Sequence, residues 1–104
     1  MPDKKIIDLL KDYIMLLNAE GIPVYKAYLF GSFLSDSASA SSDIDVMIVS
    51  DKFDEENDAL AGKAWMLTRK VNTKIEPFLI GLKKFENDES SPLVSLVKEK
   101  GIEI

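Results

Sequence analysis

The sequence predicts an α/β chain of the α+β kind, a mixed sheet with helices packed on it, and three observations carry that prediction. Apolar residues recur at helical spacing near the start, with Ile6, Leu9, Leu10, Tyr13, Ile14, Leu16 and Leu17 on one stripe. Three short runs rich in β-branched and aromatic residues follow: "VYKAYLF", "DIDVMIVS" and "TKIEPFLIG". Helical patterns separate or follow these runs, an order that builds layers of helix on sheet. At 104 residues the chain has the length of one domain, residues 1–104, with a core of ordinary size.

Taken in order, the first helix covers Lys4 to Ala19, and Gly21 with Pro23 stops it. Val24 to Phe30 reads as a strand ending at Gly31. The Ser-rich "SDSASASS" fits a loop inside one domain. "DIDVMIVS" has a continuously apolar interior, which marks a strand covered on both faces. Acids early and bases late complement a helix dipole, so a second helix is expected from about Asp54 to Val71, with "DEEND" as its solvated start and Trp65 in the core or an interface. In "TKIEPFLIG", Pro77 demotes the strand toward an edge. After the polar turn "NDESS", Pro92 opens a last helix, which Gly101 terminates before the short apolar tail "IEI".

Composition removes several classes of function. Hydrophobic residues at 46% and charged residues at 30% describe a folding chain. A formal net charge of −5 opposes sequence-independent binding to DNA or RNA, which depends on Lys and Arg neutralising phosphates. With no cysteine and no histidine, thiolate, disulfide and imidazole chemistry are all absent. Any metal must then be held by oxygen, which favours Mg2+ or Mn2+. No signal peptide is visible at "MPDKKIIDLLKDY", and no apolar run approaches membrane-spanning length, which points to the cytoplasm and away from a membrane.

The chemistry-bearing stretch is "YLFGSFLSDSASASSDIDVMIVS". Residues two apart on a strand share a side, so Asp43 and Asp45 project together and repel each other. A divalent cation between them reverses that penalty. Gly31 and Ser32 close the preceding strand, where a glycine lets the backbone approach a phosphate and the serine hydroxyl adds a hydrogen bond. Ser42, directly before the acids, is placed to bond substrate or backbone. Either half alone is an ordinary turn signal; the spacing, flanking strands and same-side acids jointly make a site.

"GS", ten residues, then "DID" after an apolar strand resembles the nucleotidyltransferase superfamily that includes DNA polymerase β, and the short length resembles its minimal single-domain members. The resemblance implies a palm-like fold. Gly31, Ser32 and Ser42 would hold the nucleotide, Asp43 and Asp45 the metal, and Glu76 in "KIEPF" would be the third acid. It further implies a reaction with two Mg2+ ions, Mn2+ being the alternative, in which a nucleoside monophosphate passes from an NTP to a hydroxyl and pyrophosphate leaves. Minimal members carry a basic residue and a glycine shortly after Gly-Ser, where this chain has Phe33, Ser35 and Asp36.

Two functions from different classes follow. The first is an enzyme that transfers AMP from ATP to an acceptor on a partner. Minimal members resemble the antitoxin half of two-component systems whose partner is a small helical HEPN-domain protein, and a second copy of the chain could also complete the cleft. The second is a binding module that keeps the fold and masks such a partner without transfer. Antibiotic modification and templated polymerisation would each need surface or domains that this stretch of sequence does not supply.

Overall fold

The apolar stripe of the first segment forms α1, Lys4–Ala19, which buries Leu10, Tyr13 and Leu17. Beyond Gly21 the Ile22 N–H returns to the Leu17 carbonyl at 2.9 Å, closing the helix. The chain then enters β1, Lys26–Phe30, and β2, Ile44–Ser50. A 3-10 turn, Asp51–Phe53, leads to α2, Asp58–Thr68, and on to β3, Ile75–Gly81. The remaining elements are α3, Leu82–Asn87, α4, Pro92–Lys100, and β4, Ile102–Glu103. This computed structural model describes residues 4–31, 43–87 and 91–104.

The four strands lie in the order β3-β2-β1-β4. β1 runs antiparallel to both β2 and β4, whereas β2 and β3 are parallel, so the sheet is mixed. Alternation along the strands sends residues to two separate cores. On one face Ala27, Leu29, Ile44, Val46, Ile48 and Ile75 pack with residues of α1 and α2. On the other, Met47, Val49 and Ile80 meet Phe85 of α3 and Val94 and Val97 of α4. The apolar interior of β2 thus has the two-sided burial that its sequence predicts. β3 is an edge strand, which is how Pro77 is accommodated without a lost ladder bond on both sides.

Three expectations are corrected. The second helix starts at Asp58 rather than Asp54, because Asn57 caps it by accepting from the Leu60 N–H at 3.1 Å. Asp54 lies outside that helix: its exposed carboxylate accepts from the Lys83 N–H at 2.9 Å and so caps the unpredicted α3. Of the two places expected for Trp65, the core is excluded, since α2 buries Ala64 and Leu67 and leaves Trp65 47% exposed.

At α4 the expected Pro92 signal operates, joined by a cap that the sequence reading did not name. Ser91 accepts from the Val94 N–H at 3.3 Å and Pro92 takes the first turn. Gly101 ends this helix without a left-handed turn, at φ −64°. A Cβ there would lie 2.6 Å from the Val97 carbonyl oxygen and 3.3 Å from Tyr28 Cβ, so glycine permits the tight pass into β4.

Tyr13 ties the two helices of the first core. Its hydroxyl donates to the Ala64 carbonyl at 2.7 Å in a fully buried setting, and burial pushes its phenol well above the ordinary range. Tyr13→Phe keeps the ring and leaves that carbonyl short of a donor, so the expected loss is about 1–2 kcal/mol in urea unfolding. A variant as stable as the parent would show that the bond contributes nothing net.

Candidate active site

The register of three strands assembles the acids. Phe30 at the end of β1 stands opposite Asp45 on β2, and Asp45 stands beside Glu76 on β3. Adjacent strands are about 4.8 Å apart, so Asp45 and Glu76 are close neighbours on one side of the sheet. Asp43 immediately precedes β2, and the Ile44 N–H bonds the Lys74 carbonyl at 2.8 Å, which pins the start of β2 against the start of β3. Asp43 lies close enough to Glu76 to hold the Glu76 carboxyl above its ordinary range. The sequence-predicted trio therefore gathers at one end of the sheet.

Gly31 closes the group from the β1 side. Its φ is +78°, a left-handed conformation that L side chains rarely adopt. A Cβ on it would run into the Asp45 carboxylate oxygen and come within 3.1 Å of Asp45 Cγ. Glycine is thus required for both the turn and the acid packed against it. Ser32 and Ser42, with Phe33, Ser35 and Asp36, lie outside the described residues.

The electrostatics reflect crowded like charges. Desolvation, then the Asp43 charge, holds the Asp45 carboxyl above its ordinary range. Glu76 is raised by desolvation, then by the charge of Asp43 and hydrogen bonding toward it, and by the Asp45 charge. Oxygen-only donors carrying excess negative charge suit a hard divalent cation. Among the described residues, however, no group of three or more acidic side chains is arranged around a common point as a ligand set. A cation would have to draw the three inward.

These raised values carry a sign. The folded chain holds more protons than the unfolded one between the ordinary carboxylate range and the raised values, so stability falls as pH rises through that window. Without divalent cation, Glu76→Gln is expected to flatten this fall. It should raise the melting temperature at pH 7 by about 1–3 °C, since a partly exposed repulsion amounts to a few tenths of a kcal/mol. Scanning calorimetry of both proteins across that pH range checks it, and identical profiles would contradict the prediction.

A cleft of about 450 Å³ opens beside Glu76. Trp65, Met66 and Thr68 of α2 and its C-cap Arg69 line it, with Thr73 before β3 and Ile75 and Glu76 at the start of β3. Sequence reasoning missed Arg69. Only the packing of α2 beside β3 brings it to this cleft, and no local pattern signals that.

A mixed four-stranded sheet with an acidic row beside a left-handed glycine defines the class: a small α+β domain of nucleotidyltransferase fold. Residues 8–103 match the family described as nucleotidyltransferase domain, and the chain belongs to that family. Domains of this family generally use divalent metals. Among solved structures, a candidate nucleotidyltransferase from Sulfolobus solfataricus superposes with a TM-score of 0.59 at 18% identity, covering 82% of this chain and 75% of that one. That likeness is one of fold. No curated protein matches the chain. Among the described residues no helix is long and apolar enough to cross a membrane.

Proposed function

We propose that this protein transfers AMP from ATP to a hydroxyl, with Mg2+ held by Asp43, Asp45 and Glu76. The observation that carries the reading is the grouping of three acids at one end of the sheet, with Asp45 packed against Gly31. When bound, the cation supplies charge neutralisation to the triphosphate and activates the acceptor oxygen. The chain's own residues do the rest. Gly31 lets the phosphates come close to the backbone, and Ser32 and Ser42 belong with it on the nucleotide side. The acceptor oxygen forms a bond to the α-phosphorus while the bond from that phosphorus to the bridging oxygen breaks. Pyrophosphate leaves with the electron pair, and Glu76 takes the hydroxyl proton.

The acceptor in this reading sits on a partner protein, a small helical HEPN-domain toxin for which this chain is the antitoxin, or on a second copy of the chain. Support comes from the resemblance to minimal nucleotidyltransferases and from the open cleft beside Glu76. A second reading, a module that masks its partner without transfer, is favoured by the acids not converging into a ligand set. ATP titration with and without Mg2+, on the parent and Asp45→Asn, separates the two. Metal-dependent binding lost in the variant supports the enzyme, and no binding by the parent supports the module.

A further inference from the structure

Helix α2 is apolar on two sides. Its inward side buries Ala64 and Leu67, with Leu60 packed beside them against the first core. Its exposed side, with the C-cap, consists of Asp58, Ala59, Gly62, Trp65, Met66 and Arg69. At about 3.6 residues per turn these six fall in one stripe roughly 120° wide, and every member between the two charged ends is apolar or glycine. A helix apolar all round belongs in an interior, whereas the exposed side of α1 carries Lys4, Asp8, Lys11 and Asp12 as a solvated helix should. Trp65 is about half exposed and Met66 70% exposed, and the space over Gly62 is open, with nothing within 4 Å of where a Cβ would stand. Asp58 and Arg69 close the stripe at its ends, and neither forms an ion pair among the described residues.

This stripe is complementary to itself. Asp58, Gly62, Trp65 and Arg69 follow one another at steps of four, three and four, a series that reads the same in both directions. Two α2 helices laid antiparallel about a two-fold axis through its midpoint set Asp58 beside the partner's Arg69 and Trp65 over the partner's Gly62, each contact occurring twice. One register thus matches both charge and shape. Glycine lets the helices approach and gives the indole a place to lie, and Ala59 and Met66 widen the apolar contact. The exposed acids Glu55 and Glu56 precede α2 and Lys70 follows it, so the flanking charges are opposite in the same arrangement. We infer that the outer face of α2 is the interface of a two-fold homodimer. The pairing does not depend on the transferase reading. Asp45 and Glu76 alternate onto the sheet face of Met47 and Ile80, opposite the face that α1 and α2 cover, so the dimer leaves both acid sites uncovered.

Sedimentation equilibrium of the whole chain, from about 1 µM to 1 mM, tests the pairing. The average mass should rise with concentration from 11.6 kDa toward twice that value. Trp65 is the chain's only tryptophan, and its emission should shift to shorter wavelength over the same range. Gly62→Lys blocks the seat of the partner's Trp65 while improving helix propensity, so it should keep the single-chain mass and, at the lowest concentration, melt no lower than the parent. Asp58→Arg and Arg69→Asp each set like charges together at both ends and should weaken association by about tenfold or more. An equal mixture of those two variants restores both opposite-charge contacts and should regain the parent's association, which misfolded variants could not do. A parent that keeps the single-chain mass throughout overturns the inference and leaves this face to a different partner. Association retained by Gly62→Lys, or by both charge variants, puts the dimer on another surface and overturns it too. So does a mixture that fails to regain association.

Discussion

Asp45→Asn is expected to abolish Mg2+-dependent ATP binding and to lower any transfer rate by about 10³-fold or more. Asp45 is the middle member of the row, with Phe30 across from it on β1 and Glu76 beside it on β3, and in the proposed site Asp43 and Glu76 already hold positions of their own. A metal's electrostatic contribution to phosphoryl-type chemistry is several kcal/mol, and about 4 kcal/mol corresponds to three powers of ten. The fold should not suffer. Asp45 is held above its ordinary range by desolvation and by Asp43, so a neutral amide of the same size relieves a repulsion. Calorimetric titration and a thermal scan on the same samples test both halves. Loss of binding with unchanged or raised melting temperature is the expected pair, and retained metal-dependent binding would remove Asp45 from the site.

Gly31→Ala is the second large effect, and it strikes stability and site together. The left-handed φ of +78° costs a non-glycine residue of order 1 kcal/mol or more. The added methyl also meets the Asp45 carboxylate, so either the strand end or the acid must move. The expected loss is about 1–3 kcal/mol in urea unfolding, with ATP binding lost as well. A double-mutant cycle separates the causes. Asp45→Ala removes the atoms that the methyl meets and leaves the backbone strain, so Gly31→Ala should cost about 1 kcal/mol less in that background. Strict additivity would mean that the contact with Asp45 contributes nothing.

Much of the fold was legible in local pattern. α1 occupies Lys4–Ala19 as its apolar spacing requires, β2 is buried on both faces as its unbroken apolar interior requires, and Pro77 lies on an edge strand. Pro92 announces α4 by first-turn chemistry that depends only on neighbours in sequence. By contrast α3 was invisible, because its N-terminal partner is Asp54, 29 residues from Lys83 in sequence. The acidic run around Asp54 looked like a helix start for the same reason. A carboxylate that bonds a distant amide cannot be told from a solvated one until the sheet brings the two together.

The site divides along the same line. That Asp43 and Asp45 project together follows from the two-residue period of a strand, and that Gly31 stands at a strand end follows from the apolar run before it. Both are properties of consecutive residues, so the sequence by itself determined them. That Asp45 has Glu76 as its neighbour depends on β3 lying parallel to β2 in one register, and a shift of one residue would turn Glu76 to the other face. Burial of Ile75 in one core and Ile80 in the other holds that register. The cleft of Trp65 and Arg69 exists only because α2 ends beside β3, a matter of packing between elements. Short-range spacing thus decided which groups could carry the chemistry, and long-range apolar packing decided which of them meet.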